Sequence, residues 1–126
     1  MKNVLISTLL IIVALVLLIL LLPLAAIWQC QCIFKDHKPY SYVSKLLFSI
    51  AQCIDELGNV AYQELWNDLL ITPDSIFLFG NPSERMSSVI GKNLEAGTLT
   101  KTGMWLNNQL NKIQPNHTII SIQPNI

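Results

Sequence analysis

The sequence predicts a mainly α protein, with one N-terminal transmembrane helix followed by a small helical domain. Two observations carry that expectation. Residues 4–28 hold 22 apolar residues out of 25 and no charge. From Ser41 to Ile71 the apolar positions then recur at the three- and four-residue spacing of one helix face.

The first element runs from Val4 to Trp28, interrupted only by Ser7, Thr8 and Pro23. At ~1.5 Å per residue it is long enough to cross a hydrocarbon core of about 30 Å. Insertion terms of roughly −0.3 to −0.6 kcal/mol for each Leu, Ile and Val outweigh the polar interruptions. Pro23 stands where it would kink the last turn or begin the exit from the bilayer, and Trp28 where an aromatic anchors a segment at the interface. A cleaved signal peptide would have an apolar region of about 7–15 residues ending in an A-x-A-like site. Here the run is longer, and Ala25-Ala26 leads into Ile27-Trp28. An uncleaved, single-pass anchor is therefore expected, with the lipid bilayer as its partner. Lys35, Lys38 and Lys45 follow the segment, whereas Lys2 and the α-amine precede it. The basic bias places the C-terminal domain in the cytoplasm.

The expected organisation is a tail at 1–3, the anchor at 4–28, a juxtamembrane linker at 29–40 and a helical domain at 41–126. Residues 35–126 carry seven Lys/Arg against eight Asp/Glu, so no nucleic-acid partner is expected. Cys30, Cys32 and Cys53 form neither a C-x-x-C pair nor a tetrahedral metal set. No cofactor, metal or small-molecule substrate is expected.

Within the domain, Val43, Leu46, Leu47, Ile50, Cys53, Ile54, Leu57, Val60, Ala61, Leu65 and Leu69 define one apolar stripe of a long helix. Gly58-Asn59 should weaken it and Pro73 stop it. Asp55, Glu56, Glu64 and Asp68 wrap around this helix and are expected on a solvated face. Asp74–Phe79 is too short to assign between strand and buried turn. Asn81-Pro82-Ser83-Glu84 has the pattern of a helix start, with Asn81 as N-cap, Pro82 at N1 and Glu84 at N3 of a capping box. That short helix carries Met86, Val89 and Ile90 and should end at Gly91. A further helix is expected over 101–113, ended by Gln114-Pro115-Asn116. Trp66, Trp105 and the Phe77-Leu78-Phe79 run are assigned to the core by default.

Ile54-Asp55-Glu56-Leu57-Gly58-Asn59 resembles the D-Q-x-x-N segment of a group of short proteins of tailed phages and prophages. The segment from Gly80-Asn81-Pro82-Ser83-Glu84 through Ser87-Ser88 to Gly91-Lys92 resembles the G-x-P-D-E-T-x-S-S-R-x-G/W-K/R segment of that group. Pro115-Asn116-His117 resembles its P-x-H-C. Ser83, Val89 and Thr118 stand where the group has an acid, an Arg and a Cys. The resemblance covers roughly residues 50–120 and implies a phage or prophage origin, with no activity attached. Its positions are the candidate structural or interaction motif: Asp55, Asn59, Gly80, Asn81, Pro82, Glu84, Ser87, Ser88, Gly91 and His117. Asp55, Asn59, Glu84 and Ser88 are expected to build a joint in the domain.

Three functions follow as expectations. The first, resting on the resemblance, is a non-enzymatic, membrane-anchored phage- or prophage-type protein that binds a protein partner at the bacterial inner membrane. The second is a lysis-associated membrane protein, holin-like or a holin regulator, although the anchor has no polar face to line a pore. The third is a hydrolase using Ser88 and His117, which would need a proton-accepting contact between them, an orienting third group and an oxyanion hole. No G-x-S-x-G elbow surrounds either serine. His117 could pair with His37 on a metal only with further ligands; the simpler expectation is a histidine hydrogen-bonded near a helix end.

Overall fold

A computed structural model describes residues 2–35 and 39–124. Among them lie the helices α1 (Lys2–Lys35), α2 (Pro39–Ala61), α3 (Gln63–Leu69), α4 (Met86–Ala96), α5 (Lys101–Ile113) and α6 (His117–Ile120). No strand is present among the described residues; one isolated antiparallel bridge joins Ile71 to Leu99. Contacts divide the chain into two compact units, Met1–Leu47 and Phe48–Ile126.

In the first unit, α1 is 34 residues long and has no buried residue. It is long and apolar enough to cross a membrane. Its one hydroxyl with a described partner, on Thr8, donates to the Val4 carbonyl at 2.8 Å and so needs no water. The helix continues past Pro23 to Lys35, so proline ends nothing here. The expected linker at 29–40 is helical up to Lys35, and α2 opens on Pro39, the favoured residue at a first helical position. Lys38 and His37 lie outside the described residues.

The second unit has a small apolar centre of Leu70, Ile71, Phe79, Val89 and Ile90, against which Trp66, Met86, Leu99, Leu106 and Leu110 pack. Around it are buried the polar side chains of Asn59, Ser75, Glu84, Ser87, Ser88, Lys92, Asn93, Asn107, Thr118 and Ser121. Among the described residues no buried side-chain nitrogen or oxygen is left without a hydrogen-bond partner. That condition is what makes a polar interior tolerable, because an unpaired buried group costs about 1–3 kcal/mol.

Helix boundaries confirm some expectations and correct others. The helix over Lys101–Ile113 forms as expected, and Thr100 caps it by accepting the Gly103 N–H at 3.1 Å. The long helix breaks at Tyr62, between α2 and α3, and not at Gly58-Asn59. Gly91 does not end α4. The helix runs on to Ala96 and terminates at left-handed Gly97. Gly91 sits where α4 meets α6, and a Cβ there would strike the Thr118 carbonyl. Trp105 is 61% exposed and Leu78 58% exposed, so neither belongs to the core; Phe79 does.

The apolar stripe of α2 is the largest departure. Leu47, Ile50, Ile54 and Leu57 are exposed, whereas Asn59, on the opposite side of the helix, is fully buried. This helix packs on its own domain through its polar edge.

Candidate functional site

Residues 70–85 contain no helix, and their backbone polar groups need partners from elsewhere. Three asparagines supply many of them. The Asn59 amide nitrogen donates to the carbonyls of Asn81 at 3.0 Å and Glu84 at 2.6 Å, and its oxygen accepts the Gly80 N–H at 3.0 Å. Asn67 brackets Phe79, accepting from its N–H at 2.8 Å and donating to its carbonyl at 3.2 Å. Asn93 donates to the carbonyls of Phe77 at 2.8 Å and Val89 at 2.9 Å, and accepts from the hydroxyls of Ser75 and Thr98. A primary amide with two donors and a two-lone-pair acceptor imitates a strand neighbour for a loop that has none.

The Asn81–Glu84 segment is a turn and not the helix start expected from its sequence. The Glu84 N–H donates to the Asn81 carbonyl at 3.1 Å, and the Ser83 N–H to the Asn81 side-chain oxygen at 3.0 Å. Asn followed by Pro suits the first two positions of a β-turn as well as an N-cap and N1, so the same residues serve either structure. Gly80, at φ 120°, enters this turn in a conformation that L side chains rarely adopt.

The cap of α4 therefore comes from outside its own segment. Arg85 is the N-cap residue, and its side chain does not cap the helix. Asp55, reaching over from α2, accepts the Ser87 N–H at 3.2 Å with one oxygen and the Ser87 hydroxyl with the other. Gln123 accepts the Arg85 N–H at 2.9 Å. Asp55 is thus partly buried at a helix N-terminus, where a carboxylate is favoured by the peptide dipoles. The solvated face expected for it is corrected by this contact.

Glu84 is buried and faces Lys92, the seventh residue of α4, with Nζ at 2.6 Å from Oε1. Ser88 donates its hydroxyl to the same oxygen at 2.7 Å and accepts the Gln123 N–H at 2.9 Å. Lys92 also stands 5.9 Å from the centre of the Phe77 ring. The ion pair, the serine and the C-terminal segment form one network.

The candidate positions therefore separate into two sets. Asp55, Asn59, Gly80, Asn81, Pro82, Glu84, Ser87 and Ser88 meet where α2, the 70–85 loop and α4 join. Gly91 lies beyond them at the α4–α6 contact, and His117 opens α6. The His117 N–H donates to Asn111 at 3.1 Å, and its Nδ1 is 2.9 Å from the Gln114 side-chain oxygen. A cleft of about 280 Å³ is bordered by Phe48, Asp55, Met86, Ser87, Leu110 and His117 among others. Ser87 and His117 share this cleft without a bond between them, since the Ser87 proton goes to Asp55. Ser88 does not border it.

The chain matches no protein-family model, no curated protein and no solved structure. Residue chemistry therefore carries the functional assignment. Sequence reasoning missed Asn67, Asn93, Asn107, Thr118, Lys92 and Gln123. Asn67, Asn93 and Asn107 left one signal: asparagine is a poor choice inside helices unless its amide has work elsewhere. Thr118 shows the same economy, donating to Asn107 at 2.6 Å while fully buried.

Proposed function

We propose that this chain is a membrane-tethered, non-enzymatic protein of phage or prophage type, which binds a protein partner at the bacterial inner membrane. The observation that carries the tether is α1, uncharged from Val4 to Trp28 and with no residue buried by the rest of the chain. A soluble protein would expose this apolar surface at great cost, and a bilayer removes it from water. The basic residues after the segment favour a single pass with the C-terminal domain in the cytoplasm.

The non-enzymatic reading is supported by where the hydroxyl protons go. Ser87 and Ser88 each donate to a carboxylate, and His117 hydrogen-bonds within its own turn. A nucleophilic serine needs its proton accepted by a base whose orientation a third group fixes. The acidic and hydroxyl groups here tie elements together instead. Tethering would raise the concentration of the domain near any membrane-bound partner without adding a contact.

Protease treatment of intact cells carrying a C-terminal epitope, with lysed cells as control, tests the arrangement. Resistance to alkaline extraction together with protection of the epitope is expected. Release by alkali would remove the tether, and cleavage in intact cells would reverse the orientation and favour a lysis or surface role.

A further inference from the structure

The cleft of about 280 Å³ at the start of α4 is lined by residues of the second unit alone. Its walls are apolar, with Phe48 from α2, Met86 from α4, Leu110 from α5 and Ile120 from α6. Phe48 and Ile120 are 60% and 66% exposed, so this apolar surface stays in contact with water. The rim carries two charges of different standing. Asp55 is committed, since its two oxygens accept the N–H and the hydroxyl of Ser87. Arg85 is not. Its Nε donates to the neutral Gln123 side-chain oxygen at 3.4 Å, and no carboxylate pairs with it among the described residues. The N–H groups that open α4 point the same way. Those of Arg85, Ser87, Ser88 and Val89 are accepted by Gln123, by Asp55 and by the Arg85 carbonyl. Among the described residues nothing accepts the N–H of Met86, the first residue of α4. A guanidinium and an open N–H at one helix N-terminus, on the border of an apolar cleft, complement a carboxylate joined to an apolar group.

We propose that this cleft receives the C-terminal residue of a partner chain. Its apolar side chain lies between Phe48, Met86, Leu110 and Ile120, and its carboxylate meets Arg85 and the Met86 N–H. Size selects a chain terminus over an internal segment. Pockets for drug-sized ligands run from about 300 Å³ upward, so this one has room for about one residue. That residue must then bring both the apolar group and the carboxylate. Asp and Glu lack the first, and an apolar C-terminal residue has both. Backbone N–H groups capture terminal carboxylates in other recognition sites in the same way. The proposal rests on the partner-binding reading above and not on the tether, because no residue of α1 takes part.

N-acetyl-phenylalanine, a C-terminal residue in its smallest form, is the probe. It is titrated at neutral pH into the full chain in detergent micelles, with the methionine methyl groups labelled with carbon-13 for NMR. Met86 borders the cleft, whereas Met104, 40% exposed on α5, does not. The Met86 signal should shift and saturate while that of Met104 stays. N-acetyl-phenylalaninamide, which lacks the charge, and acetate, which lacks the ring, should each bind about tenfold or more weakly. Arg85→Gln should bring the acid down to the level of the amide, and Arg85→Lys should restore part of the difference. An amide or an acetate that binds as well as the acid overturns the proposal. So does an acid that moves Met86 equally in Arg85→Gln, or that leaves Met86 unmoved in the natural chain. Release of acetate from a probe bound through its carboxylate would instead retain the cleft and refute the non-enzymatic reading.

Discussion

The Asp55 carboxylate accepts both the backbone N–H and the hydroxyl of Ser87, so that a side chain of α2 caps the first turn of α4. This cap is tertiary: the segment preceding α4 forms a turn and leaves the work to a residue 32 positions earlier. Formation of α4 is therefore coupled to docking of α2.

Removing that cap should be felt as a stability loss. Asp55→Ala is expected to cost about 1–2 kcal/mol, the upper part of the range for an N-cap residue. Ser87→Ala loses only the hydroxyl contact and should cost less. In an Asp55→Ala background it should add almost nothing, because both changes break the same contact. Denaturant unfolding of the full chain in detergent micelles checks this; fully additive losses would show that the two residues act independently.

The Glu84–Lys92 pair should be expensive to halve and cheap to replace. Lys92→Met leaves a buried carboxylate without its cation, at a cost of about 3–5 kcal/mol. Combining it with Glu84→Gln should recover most of that loss, since an amide keeps the Ser88 contact and carries no charge. The same unfolding measurement decides it, and a double variant no more stable than Lys92→Met alone would contradict the pairing.

Gly91→Ala should destabilise although alanine is the better helix former by about 1 kcal/mol. The added methyl meets the Thr118 carbonyl, a backbone atom that moves only with α6. A net loss of about 1–3 kcal/mol is expected, as for overpacking elsewhere. Hydrogen exchange at the α6 amides should rise in step, whereas unchanged protection would mean that α4 and α6 are not in contact there.

Local signals in the sequence located the elements well where one segment decides its own structure. The uncharged run gives α1, and the Gln114-Pro115 stop ends α5 at Ile113. Signals failed where distant residues arbitrate. Asn81-Pro82-Ser83-Glu84 suits a capping box and a β-turn equally, and the choice falls to Asn59, which bonds the carbonyls of Asn81 and Glu84 from another helix. The stripe of α2 misleads for a related reason. Periodicity shows that a helix is two-sided, and an apolar side usually faces the core, but here the loop and α4 offer N–H groups and carbonyls that only the polar side can satisfy. The candidate joint was legible as a set of positions. Its partners Asn67, Asn93 and Lys92 were not, because each acts through contacts remote in sequence.

Comparing the two edges of α2 tests the central claim most directly. Asn59→Ala and Ile54→Ser are introduced separately into the full chain, and unfolding is followed in micelles dilute enough to hold single copies. A polar edge that holds the domain predicts that Asn59→Ala, which abandons the Asn81 and Glu84 carbonyls and the Gly80 N–H, costs about 2 kcal/mol or more. It also predicts that Ile54→Ser stays within about 0.5 kcal/mol, as an exposed substitution does. The reverse order, with Ile54→Ser unfolding the domain and Asn59→Ala tolerated, would mean that α2 packs on its apolar side and that the account is wrong.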